Sequence, residues 1–170
     1  MEMNEAERRR MAASGGAEFP ATLVPGIYAD YLPGKLKGRD RDFFGYRVES
    51  LPLAAAGVTT PTMTIEGDSE FLAVSIVGVA RDPAAVTTVF AFPAITLNIY
   101  ESGTGRNFFS GPVDWGCRVG TALQPAFLPY PKLLKRTAIL TWTFTNLDAV
   151  QAYHIRLILE GFKIFDRARG

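Results

Sequence analysis

Alternating apolar and polar residues at positions 137–146 constrain the fold of this chain more than any other feature. The apolar positions are Ala138, Leu140, Trp142 and Phe144, and the positions between them are mostly threonine. Because successive side chains of a β-strand point to opposite faces of the sheet, this pattern predicts a strand with one buried face and one threonine-covered face. Residues 151–160 repeat the pattern with Tyr153, Ile155, Leu157 and Leu159.

Other segments favour further strands of the same kind. Shorter patterns occur at 46–50, 62–66 and 95–100, and residues 71–79 are apolar on both faces, which is typical of a central strand or a subunit contact. After Gly161 the apolar positions move by one, to Phe162 and Ile164, and we interpret this move as a β-bulge at the glycine. Residues 101–105 are expected to form a hairpin tip. The proline-containing residues 116–131 are expected to form a long irregular connection.

These segments together predict an all-β protein. About seven to eight short strands separated by turns, with no convincing helix among them, indicate an antiparallel β-sandwich of jelly-roll or Greek-key type. We expect the sandwich to span residues 43–170. Residues 1–42 are expected to form an extended N-terminal arm, in which a short helix at 2–13 is followed by a segment that contains several prolines and glycines.

The composition is that of a folded protein without a strong electric field. Apolar residues make up 48% of the chain and charged residues 21%. The formal net charge of +1 disfavours binding to nucleic acid, and acidic residues interrupt the basic clusters of the arm. The longest apolar run, residues 71–80, has about half the length that a membrane-spanning helix needs, and we expect neither a membrane span nor a signal peptide.

Few residues of the chain are candidates for chemistry. The one histidine, His154, falls on the outward side of its expected strand, and the one cysteine, Cys117, is expected to be a buried structural thiol. One cysteine and one histidine cannot build a closed zinc site. Glu66, Asp68 and Glu70 share a turn that lacks the ligand spacing of a known calcium loop, so we prefer a solvated turn. We expect no enzymatic activity, no metal, no cofactor and no small-molecule substrate.

Aromatic residues outside the clearest strands are the candidate contact residues. The arm and its junction with the body carry more apolar anchors than a solvated linker needs, namely Phe19, Tyr28, Tyr31, Phe43 and Phe44. The expected loops carry a second set, namely Phe108, Phe109, Trp115 and Tyr130, which either stack on sugar rings or close the ends of the sandwich. The first set indicates an assembly protein, and the second leaves open a carbohydrate- or receptor-binding module.

The order of features along residues 42–165 resembles that of small structural proteins encoded in tailed-bacteriophage morphogenesis clusters. The shared features are Phe43, Phe44 and Tyr46 at the start of the body, the segments 51–53 and 57–60, the turn 66–71 before the long apolar strand, the proline-rich loop 116–131, and the segments 143–146 and 160–163 at the end. The resemblance is a pattern of strand ends and turns that covers about three quarters of the chain.

This resemblance implies a non-enzymatic virion protein. The first expectation is a capsid decoration or minor capsid protein that stabilises the particle through subunit contacts and its arm. A head–tail connector or a tail-associated structural protein is the alternative. The implied partners are further copies of the chain in a homo-oligomer and other virion proteins, with the major capsid protein first. The implied location is the virion, after synthesis in the host cytoplasm.

Overall fold

The computed structural model describes residue 39 and residues 41–165, apart from residues 86, 91 and 122 and the side chains of residues 49–51. The helix expected at 2–13 and the expected anchors Phe19, Tyr28 and Tyr31 lie outside the described residues. The first strand begins at Arg41, so residues 41 and 42 continue directly into the sandwich.

Strands make up most of the described chain. In chain order the elements are β1 Arg41–Leu53, β2 Val58–Thr59, β3 Thr62–Thr64, β4 Glu70–Arg81, β5 Val89–Phe90, β6 Ile95–Glu101, β7 Arg106–Asn107, β8 Val113–Asp114, helix α1 Trp115–Arg118, β9 Ala126–Leu134, β10 Ile139–Asn146 and β11 Tyr153–Ile164. Within these residues no helix has both the length and the apolar character to cross a membrane.

The strands form two antiparallel sheets that pack face to face. The first sheet has the order β1-β11-β4-β5, with β9 also paired to β4, and the second has the order β2-β10-β6-β7, with β3 paired to β10 and β8 to β6. If β2 and β3 are counted as one interrupted strand, and β7 and β8 as another, the chain passes between the sheets in the order of a jelly roll. The expected all-β sandwich is therefore confirmed.

The core lies between the sheets and follows the alternation in the sequence. Leu140, Trp142 and Phe144 of β10 are fully buried, and the threonines between them face outward. The alternate residues of β6 and β11 enter the same core, namely Ile95, Leu97, Ile99, Tyr153, Ile155, Leu157 and Leu159. Residues 102–105 form the expected tip between β6 and β7.

The irregular connection expected at 116–131 is wrong over its second half, because β9 begins at Ala126 and contains two of the prolines. Two short stretches of β9 pair with β4, one at Ala126 and Phe127 and the other at residues 132–134. Residues 128–131 have no partner in this ladder and hold Pro129 and Pro131. A proline lacks the N–H that a ladder needs, so it is tolerated where an outer strand leaves its neighbour.

The apolar shift after Gly161 has a different cause from the one expected. The pairing of β11 with β4 is irregular at Gly161, but the extra residue is Val74 on β4, because Glu160 lies opposite Ser75 and Gly161 opposite Ala73. The side chains of β11 keep their alternation. Phe162 and Ile164 are apolar because they lie in a second hydrophobic cluster with Leu72, Val74 and Phe127, separate from the main core.

Gly161 is required by the close approach of the two backbones at this bulge. A Cβ atom built on Gly161 would lie 2.0 Å from the carbonyl oxygen of Leu72 and 3.0 Å from the Cα of Ala73. No side chain fits at these distances. The glycine therefore marks the place where β4 gains a residue relative to β11.

Candidate functional sites

The outward surface of the first sheet carries the second hydrophobic cluster and is the first candidate site. Its centre is formed by Leu72, Val74 and Ile164, which are buried. Its margins include Ile158 at 37% exposure and Leu133 at 36% exposure. We call this surface the outer face, defined by Leu72, Val74, Leu133, Ile158 and Ile164.

The outward surface of the second sheet is different in character. Thr141, Thr143 and Thr145 of β10 line it, and they pair with Tyr100, Asn98 and Thr96 of β6. Two exposed aliphatic residues lie beside them, Ile139 at 42% exposure and Val58, which pairs with Thr145, at 62%. Because a solvated sheet normally shows alternation of apolar and polar positions, the second sheet largely conforms. The first sheet departs from the rule only around the second hydrophobic cluster, since Arg47, Arg156 and Glu160 also face outward from it.

The two anchors expected at the start of the body lie on opposite sides of the first sheet. Phe43 is 45% exposed and meets the ring of Phe162 edge to face, with 5.8 Å between centroids, next to the outer face. Phe44 packs against the main core and meets the ring of Tyr46 at 4.9 Å. Phe43 therefore remains a candidate contact residue, whereas Phe44 is occupied within its own subunit.

A recess at one end of the sandwich is the second candidate site. It has a volume of about 220 Å³. Three of the four expected loop aromatics line it, namely Phe108, Phe109 and Tyr130. The rings of Phe108 and Phe109 meet edge to face at 6.5 Å, and the ring of Tyr130 is 77% exposed. We call this site the end recess.

The fourth expected aromatic does not reach the end recess. Trp115 is 3% exposed and lies in the main core, where α1 packs against the sandwich. Its ring therefore cannot stack on a ligand at the surface. Of the two roles considered for the loop aromatics, Trp115 performs the structural one.

Two cations complete the end recess. The guanidinium carbon of Arg118 lies 5.8 Å from the ring centroid of Phe109, and the ammonium nitrogen of Lys132 lies 6.0 Å from that of Phe108. Neither residue was predicted from the sequence. Arg118 is in α1 and Lys132 is in β9, and no sequence pattern connects them because the fold alone brings these segments together.

The acidic turn before β4 is engaged in ion pairs. The ammonium group of Lys163 donates hydrogen bonds to Glu66 and, at 3.2 Å, to Asp68. Glu70 accepts from Lys135 at 2.6 Å and from Arg39 at 2.7 Å. All three carboxylates of the turn therefore neutralise lysine or arginine side chains, an arrangement that competes with calcium binding.

These ion pairs shift the pKa values of their members. The hydrogen bond from Lys135, with a smaller contribution from Arg39, lowers the pKa of Glu70 against the opposing effect of burial. The hydroxyl of Ser69, followed by Lys163, lowers the pKa of Asp68. Burial acts to lower the pKa of Lys163, but its hydrogen bonds to Glu66 and Asp68 outweigh burial and the net pKa is raised.

The remaining titratable candidates show no catalytic arrangement. His154 is half-buried on the outward side of β11, opposite Pro52 and Arg81. Cys117 is exposed, so the expectation of a buried thiol is wrong. In the single turn of α1, Trp115 takes the inward position and Cys117 faces solvent. No group of three or more His, Cys, Asp or Glu residues that could hold a metal occurs among the described residues.

Comparisons with known proteins show no family for this chain. No protein-family model matches the sequence. No curated protein matches it either. Among solved structures, the exo-beta-1,3-galactanase from Phanerochaete chrysosporium with galactose aligns at a TM-score of 0.29 and 11% identity, covering 72% of this chain and 27% of the enzyme. This chain thus spans about a quarter of that enzyme, and a likeness at this TM-score carries no argument about function.

Proposed function

We propose that this protein is a non-enzymatic structural component of a tailed-bacteriophage particle, as a capsid decoration or minor capsid protein. A connector or tail-associated position is the alternative within the same proposal. The observation that supports it best is the apolar outer face of the first sheet, on the opposite side of the sandwich from the threonine-lined surface of the second sheet. Jelly rolls occur in viral capsids and in lectins, so the fold by itself favours neither role. The two roles differ in the surface that each one needs.

We propose residues 1–38 of a neighbouring copy as the occupant of the outer face. The segment joins the described sandwich just before β1, and Phe43 of β1 lies beside the outer face. Thirty-eight extended residues reach roughly 125 Å, whereas a sandwich of this size has a radius of gyration of about 14 Å. The segment is therefore long enough to span its own subunit and reach the next one.

The energetics require anchors along this segment. Ordering an extended chain costs about 1 to 2 kcal/mol per residue in backbone entropy, so docking requires several buried side chains. Phe19, Tyr28 and Tyr31 are spaced along the segment and supply them. Leu133 and Ile158 offer matching apolar surface on the sandwich.

A pair of isoleucine substitutions tests the assembly role. Ile158→Lys places a charge on the outer face, and Ile139→Lys places one on the second sheet at similar exposure, 42% against 37%. We expect the full chain to self-associate in light scattering, Ile158→Lys to weaken association and Ile139→Lys to leave it unchanged. Deletion of residues 1–38 is expected to give a folded monomer. Equal effects of the two substitutions, or a monomeric full chain, would contradict the proposal.

Localisation tests the virion role directly. An antibody raised against the sandwich is expected to label particles released by the strain that encodes the chain, in electron micrographs. Label on the shell favours decoration, and label at the neck or tail favours the alternative position. Particles that carry neither the label nor the polypeptide would exclude both the shell position and the neck or tail position.

A second candidate function is carbohydrate or receptor binding. It is favoured by the convergence of Phe108, Phe109 and Tyr130 on the end recess, because aromatic rings pack against the apolar faces of sugars. Binding of an oligosaccharide that Tyr130→Ala abolishes would support it. A glycan array without a hit would exclude the carbohydrate-binding function.

A further inference from the structure

The two cations of the end recess have an electrostatic environment unlike that of the cations in the acidic turn. Arg39, Lys135 and Lys163 each bind a carboxylate. Arg118 and Lys132 instead lie over aromatic rings, and neither pairs with a carboxylate of the described residues. The lining of the end recess contains no Asp or Glu among those residues. The recess therefore presents two positive charges with no acidic residue of the described chain in its lining.

The size and lining of the end recess limit what these charges can bind. A volume of about 220 Å³ is below the roughly 300 to 1,000 Å³ of sites for drug-sized ligands, which favours one small ring. Two cations are too few for the many phosphate contacts that give polyanions their affinity. Beside the cations, the exposed ring of Tyr130 provides a flat apolar surface. A small ring with one apolar face and one negative charge would fit the volume, pack against Tyr130 and pair with the two cations.

We propose that the end recess binds a single acidic sugar unit, whose carboxylate is recognised by Arg118 and Lys132 and whose ring stacks on the neighbouring aromatics. A charge-assisted hydrogen bond to a carboxylate is about twice as strong as a neutral one, so the charge determines selectivity. The aromatics supply the sugar contact that any saccharide would share. This inference rests on the second candidate function and specifies its ligand class.

The test compares a uronic acid-terminated oligosaccharide with its neutral hexose counterpart of equal length, titrated into the full chain by calorimetry or NMR. We expect the acidic ligand to bind at least about tenfold more tightly, with affinity falling as salt rises. Arg118→Gln and Lys132→Gln should each remove about tenfold of the affinity for the acidic ligand and reduce the affinity for the neutral one by a much smaller factor. Arg106→Gln, on the exposed β7, is the matched control and should change neither.

The outcomes separate the charge inference from the binding function beneath it. Equal affinity for both oligosaccharides would overturn the acidic specificity and keep the carbohydrate function. If neither oligosaccharide bound, both the acidic specificity and the carbohydrate-binding function would be overturned. Equal competition by inorganic phosphate or single-stranded DNA would identify a general anion site and overturn the sugar. Retained NMR dispersion of each variant shows that a lost signal reflects binding and not unfolding.

Discussion

Lys163 lies against Phe44, with its ammonium nitrogen 4.4 Å from the centroid of the ring. Lys163 occupies an inward position of β11 and is 7% exposed, which is unusual for a lysine. Its charge is retained because Glu66 and Asp68 accept hydrogen bonds from it while the ring contacts it on another side. The contact therefore closes one end of the sandwich with a charged group in place of an apolar one.

Replacement of Lys163 by methionine is expected to destabilise the sandwich. The substitution keeps most of the buried volume but removes the cation–π contact and the partner of two acidic side chains. We expect a loss of about 1 to 2 kcal/mol in urea unfolding. Lys135→Met is the control, because Lys135 also pairs with a carboxylate but is 68% exposed, and its loss should stay below about 1 kcal/mol. A larger loss for Lys135→Met would contradict this account of Lys163.

Glu70 should make the stability of the protein depend on pH in the acidic range. Its pKa is lowered in the folded state, chiefly by Lys135 and then by Arg39. The folded state therefore favours the charged form, and this stabilisation is complete above the ordinary glutamate pKa of 4.5 and is lost as pH falls through the folded value.

Thermal unfolding between about pH 3 and pH 7 checks this dependence. We expect the Tm of the wild type to fall below the ordinary glutamate range, and the Tm of Glu70→Gln to fall less steeply. Some dependence should remain in the variant, because the pKa values of Asp68 and Asp148 are also lowered. If the Tm of the two proteins fell in parallel as the pH was lowered, Glu70 would not contribute to the pH dependence of stability.

The sandwich could be predicted from the sequence where one face of a strand is buried and the other solvated. Period-two alternation at β6, β10 and β11 is a direct consequence of that environment, and the buried residues confirm it. β4 could be recognised as central for the converse reason, since both of its faces are apolar and it pairs with three strands.

The rest could not be predicted because it depends on contacts between distant segments. β9 was hidden by Pro129 and Pro131, whose tolerance depends on the local separation of β9 from β4. The second hydrophobic cluster produced the same sequence signal as a bulge in β11. Arg118 and Lys132 both line the end recess only because α1 and β9 adjoin there.

Gly161→Ala tests the close approach of the β4 and β11 backbones at the bulge. The added Cβ would collide with the backbone of Leu72 and Ala73, which cannot move without breaking the ladder. We expect a loss of about 3 kcal/mol or failure to fold. Gly111→Ala is the control, because a Cβ at Gly111 has no atom within 4 Å and its effect should stay within about 0.5 kcal/mol. Similar stability of the two variants would contradict the close approach at Gly161.

Cys117 should react with Ellman's reagent in the native protein. It is the only cysteine of the chain, and its side chain is exposed on α1 while the neighbouring Trp115 is buried. We expect one thiol per chain to titrate without denaturant, at a rate that added urea below the unfolding transition does not change. Cys117→Ser should alter stability by less than about 0.5 kcal/mol, because no packed volume is lost. If the thiol reacted only as the protein unfolds, Cys117 would have to be buried, and this result would contradict the described packing of α1 against the sandwich.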